Sequence, residues 1–454
     1  MVNFSLPPGP PLPSYLQTLL FLKWPFSYVE YCRRRYGDVF TLRLTVPGEG
    51  LPGPVVYLAE TAAIADVFRR DGREGHAGAA NELLEPIVGP HAILLQDGNN
   101  HLAERRLISP GFHGKAVAGL EQIVREATDR EMSRWPANEE LLVRPAMQRI
   151  TFEVITRAVL GVHDEALQKR LLKVLEPLFN ITLGQLAGLA PAFRFDLGPW
   201  SPWGRFRRIR ERADTVLFEL IAQRRREEPR DDLLGVLLAA TDEQGVPISD
   251  RHVRDELVTM LLAGHETTAT ALAWAFERLA HNPAVTSRLR SDIAAGDIAA
   301  IEAAAAETLR VRPVVMDVAR RLSEDVEVAG HLLRAGTTVM PAIYLVQLDP
   351  KNYEDPETFC PERFRDEPPS RETWIPFGGG RRRCIGAALA QMEMRTVLEM
   401  VLRKYVPEPV SPRPERPRLR AVTFVPEDDA RMKMRPEPLP RVEGIGCLTG
   451  PGSA

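Results

Sequence analysis

The sequence predicts a mainly α fold with a small β part, an α+β arrangement built as one large domain. Three observations lead there. Apolar residues recur at helical spacing over most of residues 26–295, short alternating apolar runs with glycine turns follow Pro313, and no linker or internal repeat divides the chain. Length alone would allow about three domains of roughly 150 residues. The 454 residues are 44% hydrophobic and 26% charged, the balance of an ordinary globular protein. A net charge of −3 gives no footprint for a nucleic-acid partner.

The elements follow in chain order. Residues 1–25 form a Pro-rich segment, extended over 1–14 because proline fixes φ and lacks an amide donor. Its apolar run Leu19-Leu20-Phe21-Leu22 ends at Lys23 and Pro25, far short of the ~20 residues a bilayer span needs. The order of a signal peptide is also missing. A cytoplasmic protein without an integral membrane anchor, and a monomer, is expected. The main domain is placed at 26–443, with 444–454 a disordered tail.

Asp231-Asp232 precede Leu233-Leu234, acidic residues where a helix N-terminus favours them. A helix is predicted over 253–280, with Leu257, Leu261, Leu272, Phe276 and Leu279 on one face. Gly264 and Thr268 interrupt that stripe, which suggests a site. Val326 and Val328 alternate before Gly330, and Gly336 leads into Thr337-Thr338-Val339-Met340, so short strands are predicted there. A loop-rich stretch over 349–383 leads to a helix over 386–404.

Four cysteines (Cys32, Cys360, Cys384, Cys447) with no Cys-x-x-Cys pair argue against structural zinc and a redox dithiol, and suit a reducing compartment. Cys384 closes the run Phe377-Gly378-Gly379-Gly380-Arg381-Arg382-Arg383-Cys384-Ile385-Gly386. An ionised sulfur that binds a metal needs donors and positive charge around it. Glycines let the backbone wrap close, Gly386 opens a helix whose positive end lies near the sulfur, and Phe377 can exclude water. A buried structural cysteine beside a solvated Gly/Arg turn is the plain alternative.

In Ala263-Gly264-His265-Glu266-Thr267-Thr268, Ala263 and Thr267 share a helix face. A hydroxyl behind small residues can hold a diatomic ligand, and Glu266 can relay protons from solvent. Hydroxyls in helices also commonly bond the preceding carbonyl. Glu307 and Arg310 lie three apart on an Ala-rich helix, with Phe359-Cys360-Pro361-Glu362-Arg363-Phe364 downstream. Spacing alone would leave the pair on the surface.

The full match of Phe-Gly-x-Gly-x-Arg-x-Cys-x-Gly resembles the haem-binding loop of cytochromes P450. The Ala-Gly-x-acid-Thr segment and the Glu, Arg, Arg set at 307, 310 and 363 resemble the same family, over nearly the whole chain from Tyr36-Gly37-Asp38 to about 430. The resemblance implies the cytochrome P450 fold and a haem-thiolate monooxygenase with haem b on Cys384. It also implies Thr267 and Glu266 as the oxygen-activating pair, and a structural Glu307–Arg310–Arg363 cluster. His101, Arg105, Arg320 and Arg382 resemble the cations that hold the haem propionates, with Arg106 and Arg321 as competing choices. Leu95, Leu262, Ala263, Val314, Val315 and Phe424 are candidate walls for a lipophilic substrate, each with a plain core reading.

No convincing flavin or nicotinamide fingerprint is present: Gly378-Gly379-Gly380 neither follows a clear strand nor fits Gly-x-Gly-x-x-Gly with a downstream acid at the right distance. Electrons, ultimately from NAD(P)H, are therefore expected from a separate ferredoxin or flavodoxin with its reductase, docking near Arg381 and Arg383. A haem sensor or carrier, and a peroxide-driven or isomerising enzyme of the same fold, are the rival readings.

Overall fold

The computed structural model describes residues 4–44, 53–136, 139–179, 194–196, 198–230, 232–241 and 244–440. Its longer helices are α1 (Ser14–Lys23), α2 (Pro25–Tyr36), α3 (Thr61–Arg69), α4 (Gly98–Ile108), α5 (Lys115–Met132), α6 (Val143–Leu160) and α7 (Glu165–Phe179). Then come α8 (Pro202–Arg224), α9 (Leu233–Ala239), α10 (Asp250–Ala280), α11 (Pro283–Ala294), α12 (Ile298–Val311) and α13 (Ala387–Lys404). The strands are β1 (Val39–Arg43), β2 (Pro54–Leu58), β3 (Gly75–His76), β4 (Glu140–Leu142), β5 (Arg320–Leu322) and β6 (Val326–Val328). They continue with β7 (His331–Leu333), β8 (Thr338–Pro341), β9 (Tyr405–Pro409), β10 (Pro417–Arg420), β11 (Thr423–Pro426) and β12 (Arg431–Pro436).

The axis of the molecule is α10, 31 residues long, or about 46 Å at ~1.5 Å per residue. Ser249 starts it by accepting the His252 amide at 3.2 Å. Buried side chains lie on every side of α10, as expected of a helix at the centre of a large protein. It packs on α6 and α13, and α5 packs on both of those. Gly264 lets α6 approach, since a Cβ there would fall 2.7 Å from Ile155 Cδ1. Gly264 and Thr268 therefore break the leucine stripe for packing, contrary to the expectation of a site: Thr268 is buried. At the predicted acidic start, Asp232 caps α9 by accepting the Gly235 amide at 2.8 Å; Asp231 lies outside the described residues.

The β part is one five-stranded sheet, ordered β1-β2-β8-β5-β3, with a three-stranded β4-β12-β9 sheet and the hairpins β6-β7 and β10-β11. In the main sheet β2 and β8 run parallel, Val55 opposite Thr338, and the other pairs are antiparallel. The strands predicted near 326–328 and 337–340 are β6 and β8. The stretch over 26–295 was expected to be helical apart from interruptions; four of those are the strands β1 to β4.

The boundary expected after residue 25 does not separate two packing units. Helix α1 already begins at Ser14, and Gln17 is fully buried, accepting the Arg43 amide at 2.9 Å. The Pro-rich stretch before it lies along β1, where Thr41 donates to Pro8 through its amide (2.9 Å) and to Pro7 through its hydroxyl (2.8 Å). The tail expected over 444–454, with Cys447, lies outside the described residues. Among the described residues no helix is long and apolar enough to cross a membrane, and Cys32, Cys360 and Cys384 are free thiols.

Candidate active site

The Cys384 loop leads into α13. Its backbone is fixed by the Cys384 amide donating to Phe377 O at 3.0 Å and by a short 3-10 turn at Gly380–Arg382. Gly380 has φ +66, and a Cβ on it would lie 2.4 Å from Asp71 Oδ2 and 2.5 Å from Phe68 O. Only glycine fits that approach. Phe377 packs edge-on to Trp374, ring centres 5.8 Å apart, and Trp374 Nε1 donates to Ala306 O at 3.0 Å, joining the loop to α12.

The Cys384 thiol has accessible surface, yet it lies deep enough for burial to push its pKa up. Both hold when the sulfur faces an internal recess, with protein crowded around it but not over it. Opposing the burial are the Gly386 amide, Arg383 and Arg105, each favouring the thiolate. A Cβ on Gly386 would meet no protein atom within 4 Å, so the start of α13 borders open space.

Four predicted cations share one electrostatic neighbourhood. Burial first, then Arg382 and Arg105, lowers the His101 pKa to about 4, with Arg320 adding to the effect. Arg320 is braced by Asp71, and Arg382 by Asp97 at 2.6 Å and by Ile93 O at 3.0 Å. His101 and Arg105, a turn apart on α4, make no ion pair among the described residues. Arg105 is half-buried, and desolvation lowers its pKa while Cys384 raises it. The competing choices turn elsewhere: Arg106 is exposed and Arg321 pairs with Glu82 at 3.4 Å. An accessible thiol beside the half-buried Arg105, which has no ion-pair partner among the described residues, and the braced Arg320 and Arg382 suits a planar metal cofactor with acidic edges, so the residues present fit an iron porphyrin.

On α10 the open residues are Ala263, which is exposed, and Thr267, which is half-buried and donates its hydroxyl to Ala263 O at 2.6 Å. Glu266 does not reach solvent as expected. It is buried, accepting from Arg144 Nη1 at 2.9 Å and Gln148 Nε2 at 2.6 Å on α6, while Arg144 Nε also meets Asp429 at 2.5 Å.

The cluster at 307, 310 and 363 is interior. Arg310 grips Glu307 through two bonds of 2.7 and 2.8 Å, both side chains wholly buried. Arg310 also donates to the carbonyls of Gln347 (2.9 Å), Pro356 (2.7 Å) and Thr358 (3.2 Å), while Glu307 accepts the Cys360 amide at 2.9 Å. Arg363 stands 3.6 Å from Glu307, beyond hydrogen-bond range, and donates instead to Asp355 O at 3.1 Å. The loop before the cysteine is thus tied to α12.

Among the candidate walls, Leu95, Leu262, Ala263 and Val315 keep accessible surface. Val314 and Phe424 do not: Phe424 packs edge-on to Phe26 at 4.4 Å, and its amide donates to Val314 O at 2.8 Å. Both belong to the core, the plain reading each of them carried in the sequence. The bracing residues Asp71, Asp97, Arg144, Gln148 and Gln347 escaped the sequence reading, since each acts on a partner remote in sequence or through backbone.

The cytochrome P450 family model matches residues 7–432. A putative cytochrome P450 135B1 of Mycobacterium tuberculosis is 42% identical over 442 residues, covering 95% of this chain and 92% of the relative. A putative cytochrome P450 138 of the same organism is 36% identical over 434 residues, covering 95% and 96%. Among solved structures, a retinoic acid-bound cyanobacterial CYP120A1 superposes with a TM-score of 0.82 at 24% identity, covering 96% of this chain and all of the other. A cytochrome P450DA heme domain gives 0.78 at 20% identity, covering 96% and 98%. With relatedness carried along almost its full length, the chain belongs to the cytochrome P450 family of haem-thiolate monooxygenases.

Proposed function

We propose that the protein inserts one oxygen atom from O2 into a C–H bond or double bond of a lipophilic small molecule such as a fatty acid or terpene. Its electrons come ultimately from NAD(P)H through a separate ferredoxin or flavodoxin and its reductase, in the cytoplasm. The observation that carries this reading is Cys384, accessible yet set deep in the protein, with the Gly386 amide, Arg383 and Arg105 around its sulfur.

Cys384 would hold haem b through its sulfur, and His101, Arg105, Arg320 and Arg382 would hold its propionates. Bound there, haem supplies reductive activation of dioxygen, with thiolate donation assisting O–O cleavage. The Gly386 amide with Arg383 and Arg105 stabilises negative charge on the sulfur, and Phe377 keeps water from it. Ala263 leaves room above the cofactor. Thr267 Oγ1, oriented by its bond to Ala263 O, would place its hydroxyl as a proton donor on the oxygen-binding side of the site. Glu266 would be the proton-relay carboxylate, held in place by Arg144 and Gln148, with Arg144 tying it to the partly exposed Asp429. Leu95, Leu262, Ala263 and Val315 line the substrate space, with Val314 and Phe424 behind them. Arg381 and Arg383, both exposed, offer a face to an acidic electron carrier.

The test is reconstitution with a ferredoxin, its reductase and NADPH under 18O2, against fatty acids and terpenes chosen by their low-to-high-spin shift. One labelled oxygen in the product, lost with Cys384→Ala along with the thiolate-type CO spectrum, is expected. Turnover with hydrogen peroxide but never with the reductase system would overturn the reading.

A further inference from the structure

Away from the haem recess, three side chains converge between α4 and α10. His252 and Glu256 lie one turn apart on α10 and so share a face, and Glu104 reaches them from α4. One ligand-type atom of each lies within 4.8 Å of the others, and His252 Nε2 stands 3.1 Å from Glu104 Oε1. Their hydrogen-bonding capacity is unspent. Glu104 Oε2, His252 Nε2 and Glu256 Oε2 are all buried atoms without a hydrogen-bond partner; the 3.1 Å approach of His252 is close but misaligned.

Glu256 is the strongest of these observations. It is wholly buried, and its other oxygen is used by the Ile93 amide at 2.7 Å. Burial, then Glu104 and Asp255 nearby, pushes its carboxyl well above the usual range. The neighbouring groups offer it no cation. Asp255 is taken up by Arg254 at 3.1 Å and His91 at 2.9 Å, and the His91 ring lies stacked on His252, centres 5.1 Å apart. Two carboxylates and an imidazole thus meet in the interior with free lone pairs and little positive charge between them, an arrangement proteins avoid unless something fills it.

We propose that Glu104, His252 and Glu256 form a divalent transition-metal site, best matched by Zn2+. One imidazole nitrogen and two carboxylate oxygens make a three-residue donor set that leaves a fourth position for water. The imidazole favours zinc and its transition-metal neighbours over the hard cations Mg2+ and Ca2+. Around zinc, ligand atoms sit about 3.3 Å apart for bonds of ~2.0 Å, so small side-chain rotations close the present span. A dication there neutralises both carboxylates and satisfies the unpaired atoms together. It also clamps α4, which carries His101 and Arg105, to α10, which carries Ala263 and Thr267. The metal braces the helices that frame the haem recess and takes no part in the oxygen chemistry.

Tag-free holoprotein, stripped with EDTA and dialysed, is titrated with ZnCl2 by calorimetry, and zinc and iron are then counted by mass spectrometry. One zinc per haem iron is expected, with a raised melting temperature and no displacement by excess Mg2+. His252→Ala and Glu256→Gln should each weaken binding by about tenfold or more and abolish the thermal shift. Glu104→Gln, isosteric and on a residue less buried than Glu256, serves as the deciding variant should either of the others fail to fold, as judged by the CO spectrum. Absence of stoichiometric zinc, equal competition by Mg2+, or unchanged binding in the folded variants would overturn the proposal. Zinc content is read independently of the thiolate spectrum, so this site can fail while the haem reading stands.

Discussion

Replacing His265 with leucine should make the protein markedly less sensitive to acid. The imidazole sits in the middle of α10, 3% exposed, with Phe152 and Phe179 against its ring and Thr151 Oγ1 3.2 Å from Nδ1. Burial first, and the Arg144 charge second, lower its pKa to about 3. An unfolded histidine titrates near ~6.5, so below that pH the unfolded chain binds a proton that the folded chain refuses. Stability from this residue is therefore intact above pH ~6.5 and lost as pH falls. Between pH 7.5 and 5.0 the loss is about 2 kcal/mol by linkage. At ~2.1 cal/mol/K per residue, 2 kcal/mol corresponds to a melting shift of about 2 °C in a chain of this size. Urea unfolding followed by intrinsic fluorescence at both pH values, in wild type and His265→Leu, isolates the term because other titrating groups cancel. The Thr151 hydroxyl keeps its 2.9 Å bond to the His265 carbonyl in the variant. Parallel loss of stability in the two proteins would refute the reasoning.

Three further outcomes follow from the site. Thr267→Ala should retain haem and lose at most about 1 kcal/mol, since its bond to Ala263 O is local, yet divert electrons to hydrogen peroxide; unchanged coupling of NADPH to product would count against its role. Glu307→Gln leaves the buried Arg310 charge uncompensated and should cost about 3–5 kcal/mol, seen as lower haem retention and an earlier melt. Gly380→Ala places a methyl against Asp71 and the Phe68 carbonyl at positive φ, so the thiolate CO band should shrink relative to wild type; full recovery of that band would show that the loop adapts.

Much of this architecture is legible in local pattern. The central helix was expected over 253–280 and runs from Asp250, the difference lying in the Ser249 cap. The cysteine loop is readable because its glycines and arginines are consecutive. What acts across the fold is not. Glu266 looks solvent-facing in isolation, and only the arrival of Arg144 and Gln148 from a helix more than a hundred residues earlier shows that it is buried. Asp71 and Asp97 brace Arg320 and Arg382 from still more remote positions. Phe424 has the size of a pocket wall, but its partner Phe26 comes from the far end of the chain and draws it into a separate core. His265 shows nothing of its burial in sequence, where it stands between a glycine and a glutamate.

The run of chain along β1 has a consequence for handling the protein. β1 is the outer member of the five-stranded sheet, and Pro7 and Pro8 occupy the hydrogen-bonding groups of Thr41 that would otherwise face outward. Prolines suit this work, because they accept from the strand while presenting no amide of their own for another chain to extend. Trimming the first dozen residues, a common step to remove what looks like a floppy leader, would uncover a ready template for strand addition between molecules. Such a truncated protein should clump before it unfolds.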